Sequence, residues 1–252
     1  RLAGHPRVLL VKEKSNNLSS MAVAVIASST VLAFPNGSGT TTTFGPYLLR
    51  PTSTIPSTFL SFNFDWNLNA TAVDSWTNAS VGWTLDLQDH RLLSLARALA
   101  PANLRVGGSR ADTAEYVGFP GGMAACSTAA IEQHTCLTPS RWDELVGFAQ
   151  RAGLRLVFDL NIMHGRTLKD GLWTGSWDAS NARSLLNYTA ARHPGLVFGF
   201  ELGNEKEYAL SAVETARAFT SLRRMVNEFW RESARPWVIG PAMNTRSDWL
   251  GE

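Results

Sequence analysis

The chain has 252 residues, of which 44% are hydrophobic and 17% are charged, and this composition excludes a globally disordered protein. Its formal net charge is +2, and no stripe of basic residues interleaved with aromatic ones is present, which argues against a nucleic-acid-binding protein. No Cys-x-x-Cys or His-x-x-x-His spacing occurs, so we expect neither a metal site nor a cofactor.

The N-terminal region has the pattern of a targeting segment. An apolar run starts at Met21, in "MAVAVIASSTVLAFPNGSG", and has about the length of a signal-peptide core, with basic residues upstream. Residues 1–34 are therefore interpreted as a signal peptide with a preceding basic segment, and a membrane anchor is the second interpretation. Residues 35–58 are rich in Thr, Ser, Gly and Pro, which predicts a linker or an outlying pair of strands.

Two further features indicate an exported protein. Cys126 and Cys136 flank a short segment and predict a disulfide, with two free thiols as the alternative. Five Asn-x-Ser/Thr sequons favour a glycoprotein, at Asn17, Asn36, Asn69, Asn78 and Asn187. We expect a secreted protein of the extracellular space or cell wall, and a lysosomal, vacuolar or membrane-associated one as the alternative.

From Phe59 onward, short apolar segments alternate with longer amphipathic ones. Strands are predicted at 59–64, 102–106, 154–160, 196–202 and 236–244, and helices at 86–101, 140–153, 178–195 and 211–234. Strands that alternate with long helices indicate parallel strands joined by right-handed crossovers. The sequence therefore predicts an α/β fold.

Helix ends and helix faces are predicted in more detail. Capping boxes are expected at Ser140 with Asp143 and at Ser211 with Glu214, and Gly153 suits a C-terminal cap. The apolar faces of the first two predicted helices comprise Leu92, Leu95, Ala96 and Leu99, and Trp142, Leu145, Val146 and Ala149.

A polar cluster follows every predicted strand. The clusters are Asp65 and Asn67; Ser109, Arg110 and Asp112; Asn161 and His164; Asn204 and Glu205; and Asn244. In a (β/α)8 barrel such ends meet on one face, whereas a doubly wound sheet concentrates its site at one switch point. No Gly-x-Gly-x-x-Gly follows the first strand. Residues 59–252 are thus predicted to form the N-terminal part of a TIM barrel, about five of its eight βα units, incomplete in this chain.

The stretch "FELGNEKEY" carries three carboxylates at and after the fourth predicted strand. Glu201 would be buried in the barrel interior and would need a cation, for which Arg105 is the candidate. Glu205 lies just past the strand, where a glycosidase could hold its general acid, and Asn204 beside it could hydrogen-bond a sugar 2-hydroxyl. Glu207 is expected to face solvent.

Several motifs resemble a known family when they are taken together and in order. These are "FLSFNFDWNLNA", "RLLSLARALAP", "NLRVGGSRAD", "CLTPSRWDELVGFAQRAG", "SWDASNARSLLNYT" and "ELGNE". They are similar to the N-terminal part of heparanase-like proteins, glycoside hydrolase family 79, and most of all to plant-type heparanase-like β-glucuronidases. The resemblance spans roughly residues 59–241.

The resemblance implies a retaining glycosidase that acts on glucuronic-acid-containing polysaccharides, proteoglycans or glycosides. It implies that Glu205 is the general acid/base and that Asn204, Asp65, Ser109 and Asn161 contact the substrate. The nucleophilic Glu that the family needs would lie beyond the last residue given, so this chain alone is expected to be inactive. The alternative is a non-catalytic carbohydrate-binding or matrix protein that retains half of a hydrolase barrel.

Overall fold

A computed structural model describes residues 20–21, 55–65, 85–132, 135–169, 172–244 and 249. The chain divides into two compact units, Arg1–Phe59 and Leu60–Glu252. In the first unit, β1 (Ser20–Met21) pairs with β2 (Ile55–Pro56) in antiparallel fashion. Most of the predicted targeting segment and linker, and four of the five sequons, lie outside the described residues.

The second unit alternates strands with helices. In chain order its elements are β3 (Phe62–Asp65), α1 (His90–Leu99), β4 (Asn103–Gly107), β5 (Glu115–Tyr116), α2 (Thr128–Glu132), β6 (Cys136–Leu137), α3 (Pro139–Ala152), β7 (Arg155–Leu160), β8 (Thr167–Lys169), β9 (Leu172–Thr174), α4 (Ser180–Arg192), β10 (Val197–Leu202), α5 (Ala212–Phe229) and β11 (Trp237–Val238). Short 3-10 turns occupy Ala111–Thr113 and Glu232–Ala234. Within the described ranges, no helix is both long and apolar enough to cross a lipid bilayer.

The main sheet contains five parallel strands whose spatial order follows the chain. It runs β3, β4, β7, β10, β11, and all four neighbouring pairs are parallel. A doubly wound sheet would reverse its strand order at a switch point, whereas consecutive βα units of a barrel do not. The α/β fold is thus confirmed, and the strand order is that of a partial (β/α)8 barrel.

The two faces of this sheet differ in chemistry. Phe158 and Phe200 lie in register on one face. Phe158 packs edge-on against Trp142 of α3, and Phe200 packs at a tilt against Trp230 at the end of α5. Alternation along a strand sends the next residues to the opposite face. That face carries Arg105 and two buried carboxylates, and it is where polar chemistry can occur.

Two of the three predicted helix caps are confirmed, whereas α1 and α5 are shorter than the predicted 86–101 and 211–234. Ser211 and Glu214 form the capping box at the start of α5, and Gly153, with φ of 73°, ends α3 in the left-handed conformation. The capping box at Ser140 is wrong, because Thr138 is the N-cap and accepts a hydrogen bond from the backbone N of Arg141. Proline has no N–H and a helical φ, so Pro139 starts the helix earlier than predicted.

The predicted helix faces are confirmed for α3 and wrong in part for α1. The four residues of the α3 stripe are buried. In α1, Ala96 is buried and Leu92 is half-buried, but Leu95 and Leu99 remain 68% and 48% exposed. Helix α1 packs against α3.

An insertion between β4 and α3 is closed by a disulfide and hydrogen-bonded to the end of the sheet. The predicted disulfide between Cys126 and Cys136 is formed and closes this segment. The side-chain amide of Asn181, in the motif "SWDASNA", bonds both the N and the O of Tyr116, at 2.9 and 2.7 Å. The Tyr116 hydroxyl in turn accepts a hydrogen bond from the N of Asn161, at 3.0 Å. The insertion therefore supports the carboxyl end of β7.

Candidate active site

A buried ionic cluster occupies the polar face of the sheet. Asp159 and Glu201 are register partners on adjacent strands and are 0% and 8% exposed. The Nε of Arg105 donates to Oε2 of Glu201 at 2.5 Å, and its second terminal nitrogen lies 3.5 Å from Oδ2 of Asp159. The ion pair expected between Arg105 and Glu201 is thus present, and one guanidinium serves two carboxyl groups.

Asp159 was not singled out by the sequence analysis, although the same period-two alternation that placed Glu201 inside also applies to β7. Burial raises the pKa of Asp159 well above its usual value, and the nearby charges of Asp112 and Glu201 raise it further. The protonated form of Asp159 is therefore favoured. If Asp159 is protonated, the positive charge of Arg105 is neutralised by the negative charge of Glu201 alone.

Gly107 provides the space that the guanidinium occupies. A Cβ atom on this residue would lie 2.8 Å from Cζ of Arg105 and 2.9 Å from Cβ of Asp159. Both distances are shorter than normal van der Waals contacts. The arginine side chain can therefore reach along its own strand to the carboxylates because the residue two positions later has no side chain.

Arg105 also orients Asn204, which is half-buried just after β10. A terminal nitrogen of the guanidinium donates to Oδ1 of Asn204 at 3.0 Å. A guanidinium only donates, so Asn204 must present its oxygen to Arg105, and its Nδ2 is the group that remains to donate elsewhere. The ionic cluster thus fixes which amide atom Asn204 offers to the surface.

Glu205 is exposed at the carboxyl end of β10 and has an unusual backbone. Its φ is 53°, which makes it the one non-glycine residue with a positive φ in the described part of the chain. Its N donates to the O of Ala242 at 3.0 Å, and Asn204 forms a parallel bridge with Ala242. The turn that carries Glu205 is therefore joined to the segment after β11.

Asp112 contacts the two residues that flank Glu205 in the same turn. It lies in the 3-10 turn after β4 and is 2% exposed, whereas the sequence predicts it only as one of the polar residues that follow a strand. Its Oδ2 accepts a hydrogen bond from the N of Asn204 at 3.2 Å and lies 3.0 Å from Nζ of Lys206. Burial raises the pKa of Asp112 to about 6, against the opposing effect of Lys206.

Comparison with known proteins identifies the family. The family model described as "Glycosyl hydrolase family 79, N-terminal domain" matches residues 51–252. The chain belongs to this family. Heparanase-like protein 3 of Arabidopsis thaliana is 32% identical over 199 residues, covering 71% of this chain and 35% of that protein. Baicalin-beta-D-glucuronidase of Scutellaria baicalensis is 27% identical over 195 residues, covering 67% and 37%.

The family contains proteins with different activities. Inactive heparanase-2 of Mus musculus is 26% identical over 212 residues, covering 62% of this chain and 33% of that protein. The chain thus spans about a third of the length of the curated relatives it matches. Family 79 membership establishes a glycosidase family, and the activity of this protein has to be argued from its own residues.

The predicted substrate contacts of this family 79 chain have different surroundings. Asp65 ends β3 in register with Gly107 and is exposed, and Ser109 is exposed two residues after β4. Asn161 is buried, with Nδ2 donating to the O of Ala114 at 2.9 Å and Oδ1 accepting from the N of Met163 at 2.8 Å. These bonds give Asn161 a structural role in the loop after β7, and its substrate contact stays a prediction.

Glu207 is not solvent-facing, and that prediction is wrong. It is 2% exposed, and its Oε1 accepts a hydrogen bond from the N of Asn244 at 2.9 Å. The chain turns at 207–209, so the side chain lies beneath the segment that follows β11. Of the three carboxylates in "FELGNEKEY", only that of Glu205 is exposed.

Proposed function

We propose that this chain supplies the general acid/base of a retaining β-glucuronidase of the heparanase type, acting on glucuronic-acid-containing glycans or glycosides. The observation that carries the proposal is the exposed Glu205 carboxylate at the carboxyl end of β10. Asn204, oriented by Arg105, stands directly beside it. Glycoside hydrolysis needs a carboxylic acid that protonates the leaving oxygen. A side chain that hydrogen-bonds the sugar 2-hydroxyl stabilises the transition state.

Neither neighbouring carboxylate on β10 and its turn suits this role. Glu201 is bound to Arg105 in the interior, and Glu207 is buried against Asn244. A general acid has to come within hydrogen-bond distance of the glycosidic oxygen, which only an accessible carboxyl group can do. This reasoning supports Glu205 as the proton donor and Asn204, Asp65 and Ser109 as residues that line the sugar site.

A retaining mechanism needs a second carboxylate about 5 Å from the first. We propose that this nucleophile belongs to a part of the protein outside the 252 residues, since the chain spans about a third of its curated relatives. The chain alone should therefore bind glucuronides weakly and hydrolyse none. A complete protein that contains it should release the aglycone from a glucuronide with retention of configuration.

The test is the substitution Glu205→Gln in that complete protein. Loss of the transferable proton should lower the hydrolysis of phenyl β-D-glucuronide by about 10²–10⁴-fold. Glu232→Gln, at an exposed position of the 3-10 turn after α5, is the matched control and should leave the rate unchanged. Turnover by Glu205→Gln equal to that of the unmodified enzyme would refute the assignment.

The similarity to inactive heparanase-2 favours one alternative, a protein that binds glucuronic-acid-containing glycans without cleaving them. Isothermal titration calorimetry with a glucuronide, together with a hydrolysis assay on the same sample, separates the two functions. Binding with no product from the complete protein would favour the alternative. Product formation that depends on Glu205 would exclude it.

We also propose that the protein is an exported glycoprotein. The disulfide between Cys126 and Cys136 fits an oxidising compartment, and Asn187 lies exposed on α4. Expression in a eukaryotic secretory host should yield a protein whose gel mobility increases after treatment with peptide N-glycosidase. Asn187→Gln should remove one glycan from that shift, and secreted protein with no mobility change would contradict the proposal.

A further inference from the structure

The backbone of Glu205 needs an external constraint. A residue with a Cβ atom rarely adopts φ near 53°, because that atom approaches the following carbonyl oxygen. Such strain persists only where the surrounding contacts hold it, and it directs the side chain to a position that the relaxed backbone would not give. The bond from the N of Glu205 to the O of Ala242, together with the groups that fix its two neighbours, therefore determines where its carboxyl group lies.

One buried carboxylate oxygen contacts both neighbours. Oδ2 of Asp112 accepts from the N of Asn204, immediately before Glu205, and lies 3.0 Å from Nζ of Lys206, immediately after it. The Asp112 side chain is almost fully buried, while that of Lys206 is 23% exposed. One oxygen thus holds the backbone N of the residue before Glu205 and the side chain of the residue after it.

Asp112 is itself held in a fixed place. It lies in the turn Ala111–Thr113, where the N of Ala111 donates to the O of Gly108 and the N of Thr113 to the O of Arg110. This turn directly follows β4, the strand that also carries Arg105. The constraint on Glu205 thus comes from the turn after a different strand, from a residue 92 positions away from Asn204.

We propose that Asp112 is a positioning residue that holds Glu205 in its left-handed conformation through Asn204 and Lys206, and so aims the acid at the leaving oxygen. This inference rests on the proposed role of Glu205 as general acid. In this scheme Asp112 does not contact the substrate and does not transfer the catalytic proton. It affects only the geometry of the proton transfer from Glu205. Small displacements of a catalytic group reduce rates strongly, by up to about 10²-fold for 1 Å.

Leaving-group dependence provides a readout that a general loss of stability would not change. Cleavage of phenyl β-D-glucuronide needs a proton on the departing oxygen, whereas 4-nitrophenolate leaves with much less assistance. The value of kcat/KM reports the bond-cleaving step for both substrates. In the complete enzyme, Asp112→Asn should lower kcat/KM by about 10-fold or more for the phenyl substrate and by less than about 3-fold for the nitrophenyl one.

A second test variant and a control variant accompany Asp112→Asn. Lys206→Gln removes the cation from a partly exposed position, and it should give the same selectivity between the substrates if Asp112→Asn does not fold. Asp143→Asn is the control, because Asp143 binds the Tyr188 hydroxyl and His193 between α3 and α4, outside the proposed site. It should change both substrates equally or not at all.

The outcomes separate this inference from the proposed function. If Glu205→Gln itself shows no selective loss with the phenyl substrate, the role of Glu205 as acid fails. If Glu205→Gln is selective, but Asp112→Asn and Lys206→Gln affect both substrates to the same extent, the positioning role is overturned. Selective loss in all three variants, absent from Asp143→Asn, supports it.

Discussion

The guanidinium of Arg105 lies 2.5 Å from the carboxylate of Glu201, although 96 residues separate them in the chain. The pair joins the second and fourth strands of the main sheet across the polar face, passing β7, which lies between them. Such a bridge cannot form before the three strands are assembled. It therefore reports on the correct register of the sheet.

Removal of the arginine should destabilise the chain strongly. Arg105→Met leaves the Glu201 carboxylate buried without its cation, and breaking a buried pair in this way costs about 3 kcal/mol or more. Urea unfolding of the chain should measure this loss in the free energy of unfolding. The double variant Arg105→Met/Glu201→Met should recover a large part of it, because no uncompensated charge remains. Additive losses in the double variant would contradict this account.

Gly107 should tolerate no side chain. Gly107→Ala would push the Arg105 guanidinium from its place, and overpacking of this kind costs about 1–3 kcal/mol. Gly147→Ala on α3 is the control, since a Cβ there meets only the flexible end of Arg151 at 3.2 Å. That variant should gain up to about 1 kcal/mol from helix propensity. Equal effects of the two substitutions on urea unfolding would argue against a steric requirement at Gly107.

Much of this arrangement follows from local patterns in the sequence. Period-two alternation on the predicted strands places Arg105 and Glu201 on the interior face, and a buried carboxylate needs a cation. The five strands, Gly153 and the Ser211 capping box depend on near neighbours in the chain, and all are present, although the fifth strand spans only Trp237–Val238 of the predicted 236–244. Asp159 obeys the same alternation as Glu201, so its burial could have been predicted by the same argument.

Other parts of the site depend on contacts between distant segments. Asp112 is buried because its turn packs beside Asn204, and no pattern around "VGGSRAD" indicates this contact. Glu207 follows two charged residues and looks solvent-exposed, but the chain turns and covers it with the segment near Asn244. Loops at the ends of strands are thus predicted in position and composition, while their packing requires the assembled sheet.

The pH dependence of stability should be opposite to that of an ordinary ion-paired carboxylate. Burial raises the pKa of Asp112 from 3.8 to about 6, so the folded state binds its proton more tightly than the unfolded state. The free energy of unfolding should therefore fall as pH rises from about 4 to about 6, by up to about 3 kcal/mol for this group. Buried Asp159, whose pKa is also raised by burial, should add to the decline.

Urea unfolding between pH 4 and pH 7 tests this dependence. Asp112→Asn cannot ionise, so its free energy of unfolding should decline less over the same range. Asp86→Asn is the control, because Asp86 is exposed in the loop before α1. This variant should retain the full decline in the free energy of unfolding. The charged groups around Asp112 are Lys206, Asp159 and, further along the cluster, Glu201. An equal decline in Asp112→Asn and in the unmodified chain would contradict the raised pKa of Asp112.

The strained backbone of Glu205 should lower the free energy of unfolding of the chain. Glycine adopts φ of 53° without a Cβ conflict, whereas alanine retains the conflict. Glu205→Gly should therefore be more stable than Glu205→Ala by about 1 kcal/mol, the reverse of the order expected at a residue with negative φ. Urea unfolding of the two variants measures the difference directly. Because both substitutions remove the carboxylate, the comparison isolates the backbone, and an alanine variant as stable as the glycine one would mean that the turn relaxes when the side chain is lost.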